Sequence, residues 1–94
     1  MAKTSTFTVD NTGDPEPVTL LTEAWEVEVY ENAQAGTTDY DVYAPATTDI
    51  PVRRPAGSKT LFKATGNIPF RQGQTVGYIG AVTAGSYVFG QEER

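Results

Sequence analysis

The chain has 94 residues and a net charge of −5, with no cysteine and no histidine. Its length fits one small domain with a thin core. The missing residue types exclude disulfide staples, thiolate chemistry, Cys/His zinc sites and proton transfer by imidazole. Hydrophobic residues reach 38%, no apolar run approaches the roughly 20 residues that span a bilayer, and residues 1–7 lack the apolar stretch of a secretory signal. The expectation is a soluble protein made in a reducing compartment, with no membrane partner.

Strands dominate the pattern. The first is expected at residues 5–9, followed by 10–17, which packs turn formers and two prolines into eight residues. Residues 1–17 therefore read as an N-terminal arm or edge strand plus a Pro-rich turn, poor in core residues after Val9 and able to order on a neighbouring subunit. Residues 18–94 read as a small β domain, beginning with a strand at 18–22. From Trp25 to Glu31 apolar and charged residues alternate with period two, as in a half-buried antiparallel strand. Trp25, Val27 and Val29 are expected inside, with Glu26 and Glu28 in water. Residues 39–44 repeat the pattern, with Tyr40, Val42 and Ala44 on one face. The polar segment 32–38, with Gly36 free to take positive φ, joins the two as a hairpin.

Pro45, Pro51 and Pro55 bracket a segment that cannot donate a full ladder of hydrogen bonds, and 55–59 reads as a turn ahead of the next strand. Further strands are expected at 59–64, 75–82 and 87–90, with a loop at 67–74. Gly77 and Gly80 inside a strong strand mark a bulge, a bend or close packing beneath an aromatic ring. Residues 84–86 form a tight turn closing a second hairpin. The fold class expected is all-β: a single small barrel or sandwich of six to seven short, mostly antiparallel strands with a flexible N-terminal arm.

No catalytic constellation emerges, and the chain reads as a non-enzyme without cofactor or metal. Glu26 and Glu28 share a strand face roughly 7 Å apart, a glycosidase-like separation, yet nothing apolar lies beside them to raise one pKa. Residues 10–14 fail the alternate-acid spacing of a calcium loop. Ser5, Ser58 and Ser86 have no base to activate them.

Charge layout says more. Residues 1–49 hold ten acids against Lys3, whereas 50–94 hold six bases against Glu92 and Glu93. Either neighbouring strands balance each other within the domain, or a two-signed surface docks copies of the chain on each other or on a lattice. The acidic total opposes nucleic-acid binding. Arg53, Arg54, Lys59 and Lys63 form a basic cluster that either blunts a sheet edge or, with Arg71, docks on an acidic partner. Tyr30 and Tyr43 fall opposite the inward residues of their strands. They are the aromatics expected at the surface, suited to protein contact or sugar stacking.

The order of elements resembles the small virion structural proteins of tailed bacteriophages, of the capsid decoration (cement) or head-completion type. The likeness runs over about residues 18–93: an acidic Val-rich strand with an early Trp, then the segments 38–45, 55–62 and 70–79, and an aromatic strand with an acidic tail at 89–93. It brings no defined site. It implies a non-catalytic particle protein, made in the host cytoplasm and placed on the capsid surface. There it would bind at junctions between major capsid subunits or other virion proteins, forming homo-oligomers or lattice contacts. Arg53, Arg54, Lys59, Lys63 and Arg71 are then the expected contacts to acidic shell surface, with Tyr30 and Tyr43 as apolar anchors. A neck or tail component in few copies and a carbohydrate-binding module are the alternatives.

Overall fold

The computed structural model describes residues 3–10, 14–32, 36–44 and 48–94. Among them the chain forms eight strands and no helix: β1 (Lys3–Asp10), β2 (Glu16–Thr19), β3 (Glu26–Glu31), β4 (Tyr40–Tyr43), β5 (Val52–Arg54), β6 (Lys59–Lys63), β7 (Thr75–Ala81) and β8 (Ser86–Glu93). They make two four-stranded antiparallel sheets, ordered β1-β8-β3-β6 and β2-β7-β4-β5. Only the connection from β4 to β5 stays within a sheet; each of the others crosses between them. This is the winding of a jelly roll.

The all-β expectation holds, but the closed-barrel alternative does not: the sheets face each other as a sandwich and leave four edges. Two expected hairpins are also absent. β3 and β4 lie in different sheets, as do β7 and β8. Alternating inward faces do not specify a sheet, and here every strand of both pairs finds its partners elsewhere. β3, for instance, sits between β8 and β6. The turn centres at 11–13, 33–35 and 45–47 lie outside the described residues.

The Pro-bracketed segment contains an eighth strand, β5, three residues long and confined to an edge, where proline neighbours are tolerated. Lys3–Asp10 is no flexible arm. It pairs with β8 residue for residue and buries Val9 completely. The second strand stops at Thr19, short of the expected 22, and β8 runs on into the acidic tail as far as Glu93.

The core draws Val9, Val27, Val29 and Phe89 from one sheet and Val18, Tyr40, Val42 and Ile79 from the other. Tyr40 fastens the two. Its ring meets Phe89 edge-on at 5.2 Å, and its hydroxyl donates to the Ser58 carbonyl at 2.8 Å and lies 2.9 Å from Thr60 Oγ1. Trp25, expected inside, is 50% exposed. It precedes β3 at the end of the sandwich, where no facing layer remains to cover it. Ala44, just past β4, is exposed for the same reason.

Gly77 is buried where the ladder with β2 slips register between Val18 and Thr19, and a Cβ there would stand 2.9 Å from Phe62 Cε1 and 2.7 Å from the Tyr43 carbonyl oxygen. The bulge and the close ring packing are thus combined at one residue. Gly77→Ala should lower the urea midpoint at unchanged slope, a loss of about 1–3 kcal/mol of stability from overpacking.

Candidate interaction surfaces

β5 and β6 are the edge strands of their respective sheets on the same side of the sandwich, joined by a turn at 55–58. The Ser58 N–H closes that turn on the Pro55 carbonyl at 3.1 Å, and Asp39 Oδ1 accepts from the Ala56 N–H at 2.8 Å. The fold therefore brings Arg53, Arg54, Lys59 and Lys63 to one flank. Three of them are already paired within the chain: Arg53 with Asp41 at 2.7 Å, Lys59 with Glu28 at 3.8 Å and Lys63 with Glu26 at 3.9 Å. Arg94 adds contacts of 3.2–3.4 Å to Glu92, Glu28 and Glu26. The acidic first half and the basic second half thus balance across neighbouring strands. Exposed pairs of this kind contribute only about 0–1 kcal/mol each, and the three flank side chains remain 60–66% accessible.

Arg54 differs from its neighbours. Its Nη2 donates to the Lys59 carbonyl at 2.9 Å, while its buried Nε finds no partner among the described residues. It borders a shallow groove of about 490 Å³ between the two edges, lined also by Val42, Val52, Leu61 and Phe62. Val52 is 62% and Leu61 45% exposed.

Tyr30 joins this flank through Lys59, whose Nζ lies 5.4 Å from the ring centroid. The ring lies on Gly90, where a Cβ would come within 2.6 Å of Cζ, so Tyr30 is half-buried on its own sheet. Tyr43 is likewise half-buried across Gly80, on the outer face of the other sheet. Arg71 stands apart, exposed on the 64–74 connection.

That connection builds a second surface, which the sequence reading missed. It runs beside residues 20–25, tied by Leu20 N–H to the Gln74 carbonyl (2.9 Å), Gly73 N–H to the Leu20 carbonyl (2.8 Å), and reciprocal Ala24–Phe70 bonds of 3.1 and 2.8 Å. Trp25 and Ile68 are exposed on these two segments, by 50 and 67%, and Ile68 lines a shallow depression with Arg71; Leu21, 46% exposed, turns instead toward β1 and β2. For Leu21 the available signal was Leu20-Leu21: two adjacent apolar residues in an extended chain cannot both face inward.

Both surfaces are braced by buried carboxylates. Glu93, 2% exposed, accepts from the Leu21 N–H (3.1 Å), the Thr22 N–H (2.8 Å), the Thr22 hydroxyl (3.0 Å) and Gln91 Nε2 (2.7 Å). Glu31, 7% exposed, accepts from the Thr37 N–H (2.8 Å), the Thr37 hydroxyl (2.7 Å) and the Thr38 N–H (3.1 Å). Burial by itself pushes both carboxyls up, but these donors together outweigh it and hold both below the ordinary value.

No family model, curated protein or solved structure matches the chain.

A carboxyl whose pKa is depressed by folding contributes stability that is complete above its unfolded value, near 4.5, and is lost as pH falls through the lower folded value. Chemical denaturation across pH 2–7, about the range that brackets this titration, should show stability falling on the acid side of 4.5. Glu93→Gln should lose about 1–3 kcal/mol at pH 7 and show a shallower acid limb than the unsubstituted chain.

Proposed function

We propose that this chain is a non-catalytic virion structural protein, a capsid decoration protein that binds outside an assembled shell at junctions between major capsid subunits. The reading rests chiefly on the end of the sandwich where Trp25 and Ile68 stand exposed on segments tied through Ala24 and Phe70, with Arg71 beside Ile68. A tryptophan and an arginine on a rigid base are the anchors that dominate protein interfaces. The reciprocal bonds between the two segments, and the Glu93 brace beneath one of them, mean that little ordering cost attaches to docking. The phage resemblance of residues 18–93 points the same way. So does the jelly-roll winding, which viral capsid and lectin domains share, though a fold by itself does not specify function. In this reading the apolar end faces the shell and the cations of the β5–β6 flank lie to its side. Modest affinity per copy suffices when a copy engages several subunits at once.

A sugar-binding reading draws on one observation, the half-exposed Trp25 ring. Tyr30, lying on Gly90, serves that role less well.

Quantitative mass spectrometry of purified particles against the major shell protein tests the proposal. The expected result is one copy per shell subunit or per few subunits, with at least a tenfold loss of retention on the shell, about 1.4 kcal/mol, for Trp25→Ser combined with Ile68→Ser. About a dozen copies per particle would instead indicate a neck or tail component. Absence from particles would overturn the virion reading, and glycan binding abolished by Trp25→Ala would then support the sugar module.

A further inference from the structure

The two open flanks of the sandwich are electrically opposite. On one side, β1 and β2 carry Asp10 and Glu16, with Asp14 between them; Glu16 borders a groove of about 300 Å³ there, lined also by Phe7, Pro17 and Leu21. On the other, β5 and β6 carry Arg53, Arg54, Lys59 and Lys63 beside the apolar groove. We propose that copies of this chain associate head to tail through these flanks, the β1–β2 side of one copy adding to the β5–β6 side of the next.

Strand direction permits it. Each sheet has four strands and all its neighbours are antiparallel. The first and last strands of a sheet therefore run in opposite senses. A second copy in the same orientation then presents β1 antiparallel to β6, so that sheet continues, while β2, interrupted by Pro17, lies alongside the short, proline-flanked β5 without a full ladder.

Hydrogen-bond phase permits it too. The Asn32 N–H to Val88 carbonyl bond and the reciprocal Glu26–Arg94 bonds turn the even residues of β8 toward β3. Its odd residues then face β1, which leaves the N–H and C=O groups of Thr4, Thr6 and Thr8 directed outward. On β6 the Ala64 N–H to Trp25 carbonyl bond sets the alternation. Thr60 and Phe62 bond to β3, and Lys59, Leu61 and Lys63 face outward. Laid antiparallel, the two free edges match as Thr8 with Lys59, Thr6 with Leu61 and Thr4 with Lys63. Asp10 then comes to the end of β6 where Lys59 and Arg54 stand.

Lys3 falls near Lys63 at the other end, so attraction is concentrated at Asp10. Two β6 edges would oppose lysine to lysine, whereas β1 has no charge or proline between Lys3 and Asp10 to guard it. The incoming copy would cover Val52 and Leu61 and bring carboxylates to the flank where Arg54 Nε lacks an acceptor among the described residues. Contacts of this heterologous type close into a ring or run on as a filament.

Because the chain contains no cysteine, Thr6→Cys combined with Leu61→Cys in one chain reports the contact. Within one copy these positions lie on opposite edges of a four-stranded sheet, about 14 Å apart and beyond disulfide reach. Mild oxidation should give a ladder of linked multimers from the double variant and none from either single variant. Sedimentation of the unsubstituted chain at about 100 µM and low salt should give a mass above 10.1 kDa that falls as salt is raised. Asp10→Lys should weaken the association at least tenfold, and adding Lys59→Asp should restore it.

A chain that stays monomeric to about millimolar concentration overturns the proposal, as does a double variant without a ladder. Efficient dimers from Thr6→Cys alone would also overturn it, by revealing a β1-to-β1 pair. None of these results depends on a shell, and none alters the copy number per particle that tests the function proposed above.

Discussion

When a chain passes between sheets at nearly every connection, each crossing turns peptide N–H groups toward an interior that has no ladder to receive them. Each such group left unpaired costs on the order of 1–3 kcal/mol. In this protein two carboxylates take that place. Glu93, at the end of β8, receives the N–H groups of Leu21 and Thr22 as the chain leaves β2; Glu31, at the end of β3, receives those of Thr37 and Thr38 as it leaves for β4. Both are charged and buried, and both are satisfied by several donors, the condition under which a buried charge supports a fold. The consequences reach outward. The first brace sets the segment that exposes Leu21 and Trp25. The second sets the approach to Asp39, which holds the β5–β6 turn through the Ala56 N–H.

The outer face of the sheet containing β3 shows how the charge division along the sequence is resolved. Glu26, Glu28 and Glu92 meet Arg94, Lys59 and Lys63 there in near balance. What is left at the flanks is Asp10, Asp14 and Glu16 against Lys3 beside β1 and β2, and Arg54, with no carboxylate partner among the described residues, beside β5 and β6. A surface of this type attracts copies of itself in one orientation and repels the reverse, which is a route to directed association without a large apolar patch.

How much of this was legible in the sequence follows from what period-two patterns encode. They mark strands and their inward faces: Val27, Val29, Tyr40 and Val42 are where the alternation places them, and Gly77 lies beneath Phe62 as an interrupted strand implies. Patterns do not encode which sheet a strand joins, so the two hairpins inferred from polar turns at 32–38 and 84–86 are sheet crossings instead. β5 escaped notice because two prolines flank it. Glu93 escaped because an acid near the end of an acidic tail looks solvated, although Phe89, Gln91 and Glu93 continue the inward phase of β8 without a break. Among the candidate contacts, the basic cluster is real as a neighbourhood, and charge balance between neighbouring strands was one of the two readings of the sequence; what the sequence could not convey is which carboxylates pair with Arg53, Lys59 and Lys63. The exposed end with Trp25 and Ile68 was hidden for the opposite reason, since large apolar residues are assigned to the core by default.

β1 pairs along its whole length with β8, strands separated by nearly the entire sequence. Local ladders form in microseconds, but this one cannot close until residues 86–93 have been synthesised, a wait of about 4–15 s at the usual rate of chain growth. Throughout that interval a threonine-rich strand with no internal charge has both edges open. During that interval another copy's unfinished sheet offers β1 an equivalent partner, so crowded synthesis favours exchange of this strand between copies.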